Sequence, residues 1–204
     1  MNRLFTALAV AMLSFAALLP APAFAQAGNP DAVDLPPFFA ETFLNFPEDA
    51  ASAKKGGKRL LLYFGQDGCP YCKTLLETNF TQKAIVDKTQ AKFVAIGLNI
   101  WGDRETVWFD GVTRKEKDLA KHLKVQFTPT ILLLDEKGAT IARINGYYPP
   151  HRFSAALDYS AQRLEGKTGF AEHMQAVPAT GARAALTDEP FFLKAAAGQP
   201  LDLR

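Results

Sequence analysis

The chain has 204 residues, with 23 lysines and arginines against 21 aspartates and glutamates, and only two cysteines. A balance this close to neutral, with no basic stripe, argues against nucleic acid as a partner. The length suits one domain with a sizeable core.

Residues 1–25 read as a secretory signal peptide. Met1-Asn2-Arg3 is a short basic start, Leu4 to Leu19 is apolar, and Ala23-Phe24-Ala25 is a small-residue cleavage site. The apolar core ends at Pro20 and is shorter than the roughly 20 residues a spanning helix needs. An uncleaved anchor is the alternative. No later segment is apolar enough to cross a membrane, so the mature chain is expected to carry no span. Residues 26–45 form an N-terminal extension rich in proline and alanine. With Phe38, Phe39, Phe43 and then Phe46 it holds too many phenylalanines for a free tail, so its end is expected to pack on the domain. A helix is predicted from Pro47 to Lys55, stopped by Gly56-Gly57. Lys54-Lys55 and Lys58-Arg59 read as solvated cations that complement the helix end.

The apolar run Leu60-Leu61-Leu62-Tyr63-Phe64 is a strand that leads into Cys69-Pro70-Tyr71-Cys72. A strand delivering a C-x-x-C pair to the start of a helix is the arrangement of dithiol redox chemistry. At a helix N-terminus, unpaired N–H groups and the dipole favour a negative sulfur. Cys69 is therefore the expected attacking thiolate, and Cys72, one turn on and less exposed, the thiol that displaces the reduced product. Pro70 fits the first turn, where its missing N–H is not needed, and Tyr71 is expected to be a partly exposed ring beside the sulfur. Two other readings of the pair are weaker. A structural disulfide over so short a loop restrains little chain entropy. A structural zinc site needs four ligands, and His122, His151 and His173 lie at no matching spacing, so no metal is expected.

Phe93 to Ile100 reads as a buried strand. Trp101 to Val112 is a short excursion, with Glu105 to Phe109 as a possible strand and Asp110-Gly111 as a turn. Trp101, Trp108 and Phe109 either cover a core edge, the favoured reading, or form a substrate-facing patch. Thr113-Arg114-Lys115-Glu116 reads as a capping box opening a helix with Leu119, Ala120 and Leu123 on one side. Pro129 then introduces an apolar strand through Leu134, Glu136-Lys137-Gly138 a hairpin turn, and Ile141-Ala142-Arg143-Ile144 the return strand. Pro149-Pro150 opens an amphipathic helix with Phe153, Ala156, Leu157, Ser160 and Leu164 on one face. Residues 166–204 form a C-terminal extension, expected to dock through the phenylalanines of Glu189-Pro190-Phe191-Phe192-Leu193.

This order, with the C-x-x-C at a helix start and Pro129 at a strand start, resembles the thioredoxin superfamily over roughly residues 45–165. The resemblance implies an α/β thioredoxin fold, a central mixed β-sheet flanked by helices, over residues 46–165. It also implies that Pro129 is the family's cis-proline, presenting Thr128 beside Cys69, and that Pro70, Tyr71, Thr128 and Pro129 form a substrate-binding surface around the Cys69/Cys72 dithiol. A trans proline is the plain alternative. The stretch from Gly57 to Lys73 is most similar to periplasmic thioredoxin-like proteins of the SoxW type. That likeness implies a periplasmic thiol:disulfide oxidoreductase without cofactor that reduces disulfides of exported proteins, with a membrane thiol transporter of the DsbD or CcdA kind as electron donor. A DsbA-like disulfide donor and a client-binding module with incidental redox activity are the alternatives. The span from Cys72 to Pro129 leaves no room for the helical domain that DsbA-type oxidases insert. Two positions depart from the family: Tyr63 stands where thioredoxins bury an aspartate, and Gly97 where they place its lysine partner. The base that deprotonates Cys72 is therefore not identifiable from the sequence.

Overall fold

The computed structural model describes residues 34–178. The expected signal peptide, the first part of the N-terminal extension and the Phe191-Phe192 segment lie outside the described residues. Among the described residues no helix is long and apolar enough to cross a membrane.

The centre of the molecule is strand β1 (Arg59–Gly65), buried along its whole length. It pairs in parallel with β2 (Phe93–Asn99) on one side and antiparallel with β5 (Thr130–Leu134) on the other. The hairpin partner β6 (Thr140–Asn145) completes a mixed sheet of order β2-β1-β5-β6. A near-continuous apolar run is what a strand buried on both faces requires, and Leu60 to Phe64 supplies it. Alternation along β1 divides the core in two. Leu60, Leu62 and Phe64 face a cluster with helices α1 (Phe46–Lys55) and α4 (Glu116–His122). Leu61 and Tyr63 face the second cluster, which holds both cysteines and helices α2 (Pro70–Thr74), α3 (Lys83–Lys92), α5 (Pro150–Ala161) and α6 (Phe170–Ala176). This is the architecture the resemblance implies.

Several elements follow directly from residue chemistry. Helix α1 has proline in its first turn, Glu48 and Asp49 beside it, and Lys54 and Lys55 in its last turn, all matched to the dipole. The β5–β6 turn is held by Asp135, whose Oδ1 accepts from the backbone N–H of Lys137 and of Ala139 at 2.8 Å each, with Gly138 at a φ of 88° that suits glycine. The excursion after β2 forms a two-stranded hairpin, β3 (Glu105–Val107) with β4 (Thr113–Lys115).

Three expectations are corrected. Thr113 does not cap α4: residues Thr113–Lys115 are paired with β3, and Lys115 precedes the helix. Glu116, nearly fully buried, turns its carboxylate to the end of β2 instead, accepting from the Asn99 N–H at 3.0 Å and from the Arg104 guanidinium at 2.6 Å. Arg59 is not a solvated cation. It is buried at the start of β1, where it donates to Glu136, to Glu165 and to the Ser160 carbonyl. The aromatic lead-in packs only in part. Phe39 and Phe46 are buried and Phe38 stacks on Phe39 and Phe80, whereas Phe43 is wholly exposed.

The lead-in also has a task not read from the sequence. It runs beside the outer edge of β2, with the Ala40 N–H bonded to the Ala95 carbonyl at 2.7 Å and Leu35 against Gly97. An edge strand is thereby partly covered. Of the C-terminal extension, α6 packs on α5 through buried Met174, and the Tyr159 hydroxyl donates to the Thr168 carbonyl at 2.8 Å.

Candidate active site

Strand β1 ends at Gly65, and the loop Gln66-Asp67-Gly68 turns the chain into α2, with Gly68 at a φ of 69°. Cys69 occupies the N-cap position and Pro70 the first turn. Cys69 and Cys72 are joined by a disulfide with Cα atoms 5.2 Å apart. The Cys69 sulfur accepts two hydrogen bonds, from the Cys72 N–H at 3.1 Å and from the Thr128 hydroxyl at 3.3 Å. Both donors would stabilise a thiolate on Cys69 once the disulfide opens. Cys72 has no solvent exposure, while Cys69 keeps a small opening of 6 %. An incoming nucleophile or disulfide therefore meets Cys69 and not Cys72.

Around that opening stand the other sequence-predicted site residues. Pro70 and Tyr71 are exposed, and the Tyr71 ring is 65 % exposed beside the first cysteine. The Thr128–Pro129 peptide bond is cis; Pro129 is buried and Thr128 half-buried against Cys69. The six residues singled out in the sequence, Cys69, Pro70, Tyr71, Cys72, Thr128 and Pro129, are thus assembled from two segments at one end of the sheet. The helix beneath the motif does not stay regular: it passes from α2 into a π-type turn over Leu75–Asn79. The buried Asn79 amide at its end donates to the Tyr148 carbonyl at 2.9 Å.

Two neighbours were not read as site residues. Phe127, just before Thr128, is 62 % exposed. Gln66 accepts from the Trp101 indole N–H at 2.7 Å, which fixes an exposed tryptophan over the loop that leads to Cys69. Trp108, by contrast, is buried edge-on against Phe46 and covers the core. Only the position of Gln66 in the short loop three residues before Cys69 could have drawn attention to it.

Tyr63 is buried, and burial pushes its phenol well above the usual range. It lies directly opposite Gly97 in the β1–β2 register.

The family model for the thioredoxin-like domain matches residues 46–161. The chain belongs to the thioredoxin-like domain family, and with a Cys69–Cys72 disulfide at a helix start it has the site of a thiol–disulfide oxidoreductase in the general sense. No curated protein matches the chain in sequence. Among solved structures, a thioredoxin-fold protein from Helicobacter pylori is 27 % identical, covers 69 % of this chain and 89 % of its own, and superposes with a TM-score of 0.58. More distant are a DsbH oxidoreductase, 17 % identical over 69 % of this chain and 93 % of its own with a TM-score of 0.45, and a thioredoxin from Thermus thermophilus, 20 % identical over 72 % and 93 % with a TM-score of 0.42.

Proposed function

We propose that the protein is an exported thiol:disulfide oxidoreductase that reduces disulfides of periplasmic proteins through a mixed disulfide on Cys69. The observation that carries this reading is the asymmetry of the pair: Cys69 is open at the helix start with donors on its sulfur, and Cys72 is sealed behind it. In the reduced protein the Cys69 thiolate attacks one sulfur of a client disulfide, and the other client sulfur leaves as a thiolate. Cys72 then attacks Cys69, re-forming the internal disulfide and releasing the reduced client. Tyr71, Pro70, Thr128 and the buried Pro129 surround the point of attack and serve as the client-binding surface.

Export rests on the signal-peptide pattern of residues 1–25, and the reductase direction on the likeness of Gly57 to Lys73 to SoxW-type proteins. A periplasm is kept oxidising kinetically, so a reductase there draws electrons across the membrane. A thiol transporter of the DsbD or CcdA kind is the matching donor. Residues 46–165 form the redox domain in this reading, with the flanking segments as extensions.

The deciding measurement is the Cys69–Cys72 reduction potential in a glutathione buffer. A value near roughly −270 mV or lower is expected. A value near about −120 mV would make the protein a disulfide donor instead.

A further inference from the structure

Phe43 is wholly exposed, and the chain on both sides of it is fixed. Leu44 is buried, with a backbone φ of 56° that leucine rarely adopts. Its N–H donates to the Thr42 hydroxyl at 3.0 Å, and that hydroxyl donates to the Asp49 carboxylate at 3.1 Å. The Leu44 carbonyl accepts from the Val107 N–H at 2.9 Å, and on the other side the Ala40 N–H is bonded to the edge of β2. The bend turns Leu44 into the core and holds the Phe43 ring in water, where it covers nothing. An apolar exposure that a left-handed backbone is spent to maintain points to a partner surface.

Beside the bend an open cavity of about 340 Å³ lies between the lead-in, α1 and β2. Ala40, Ala53 and Val94 give it apolar wall, and Thr42, Asp49 and Lys58 bring polar groups. An apolar cavity of about 150 Å³ takes benzene, so this one has room for a phenyl ring. Thr42 belongs to the cavity wall, and the next residue is Phe43. A face that carries a knob next to a fitting hole is self-complementary, which is what a twofold contact requires.

Charge along α1 fits the same symmetry. Its first turn carries Glu48 and Asp49, and its last turn Lys54 and Lys55. Glu48 and Lys55 are exposed two turns apart on one side of the helix, with the small exposed Ala51 and Ser52 between them. Ser52 also lines the cavity, so this side of α1 and the cavity share one face. Two such helices set antiparallel across a twofold axis bring each Glu48 to the Lys55 of the other copy.

We propose that this face is a homodimer interface, in which Phe43 of each copy fills the cavity between α1 and β2 of the other while the two α1 helices run antiparallel. Lys58 and Val94 place the cavity at the start of β1 and β2, whereas the cysteines follow the far end of β1. Both active sites of the dimer therefore stay open to clients.

The test is the oligomeric state of the full-length protein, by sedimentation equilibrium over about a hundredfold range of concentration. The wild type is expected to approach the mass of two chains at the upper end. Phe43→Ala removes no buried group and is expected to raise the dimer dissociation constant by about tenfold or more. Glu48→Lys and Lys55→Glu each set like charges across the axis and should each weaken the dimer. The double variant restores opposite charges and should recover most of that loss. A wild type that is monomeric at every concentration overturns the proposal, and so does a dimer that Phe43→Ala leaves intact. A double variant no tighter than the single ones overturns the antiparallel arrangement. Disulfide reduction does not depend on this contact, so the proposed function stands or falls separately.

Discussion

The two ends of strand β1 are buried alike and treat charge in opposite ways. At its start Arg59 is surrounded: Glu136 and Glu165 accept from its guanidinium, as does the Ser160 carbonyl at 2.8 Å, and Arg163 pairs with Glu136 from outside. At its end the Cys69 sulfur takes hydrogen bonds from an N–H and a hydroxyl, and both cysteines sit in an apolar cluster. A buried charge is tolerated when every partner is in place, and the Arg59 end is a fixed structure of that kind. The cysteine end must let a sulfur gain and lose charge during turnover, so its surroundings stabilise a thiolate without locking a permanent counter-ion beside it.

The sharpest way to break the comparison is at the cysteine end. Cys69→Ser should abolish reduction of a protein disulfide such as that of insulin, measured by turbidity, while the thermal midpoint of the fold stays close to that of the reduced wild type. Retained turnover would show that Cys69 is not the attacking group.

At the other end the expected effect is on stability. Arg59→Met removes the buried cation, so Glu165 and the Ser160 carbonyl lose their donor while Glu136 keeps Arg163 from outside, a loss of about 1–3 kcal/mol in chemical denaturation. Glu136 also sets a pH dependence. The hydrogen bond from Arg59 holds its carboxyl down at about 2, against an ordinary value of 4.5. A depressed carboxyl stabilises the fold above its unfolded value and loses that contribution as pH falls through the folded one. Wild-type stability should therefore decline between about pH 4.5 and pH 2, and Arg59→Met should flatten that part of the decline. An unaltered acid limb would show that the pair does not act as described.

These two ends also differ in how far the sequence disclosed them. The cysteine end was legible because its chemistry is local: two cysteines three apart after an apolar strand, and a proline opening another strand. The Arg59 end was not, because its partners come from residues 136, 160 and 165, and nothing near Lys58-Arg59 distinguishes a buried cation from a solvated one. Glu116 failed for a related reason. The pattern from Thr113 to Glu116 matches a capping box, but β3 claims Thr113–Lys115 by cross-strand pairing, and Glu116 finds three donors at Asn99 and Arg104. Tertiary partners overrode a local signature.

Glu116 gives the next smaller effect. Its carboxylate accepts from the Asn99 N–H and takes a charged bond from Arg104. Glu116→Gln keeps the shape but replaces one acceptor oxygen by a donor, so a loss of about 1–3 kcal/mol is expected. An unchanged midpoint in chemical denaturation would show that Glu116 does not hold the end of β2 through these donors.

The smallest effect on the fold is expected at Trp101. Its indole is 67 % exposed and covers no core, unlike Trp108, so Trp101→Ala should change stability by no more than about 0.5 kcal/mol. The side chain is nevertheless held, by Gln66 on its ring N–H and by Asn99 on its backbone N–H at 2.9 Å. In the proposed reaction, an ordered, exposed indole bonded to the loop that leads to Cys69 would be a contact for the client. An aromatic contact of this kind contributes about 0.5–1.5 kcal/mol. Trp101→Ala should then raise KM for an unfolded protein client by up to about tenfold while leaving reduction of a small aromatic disulfide unchanged. Equal losses on both clients would mean that the indole acts on the loop geometry through Gln66 and not on the client.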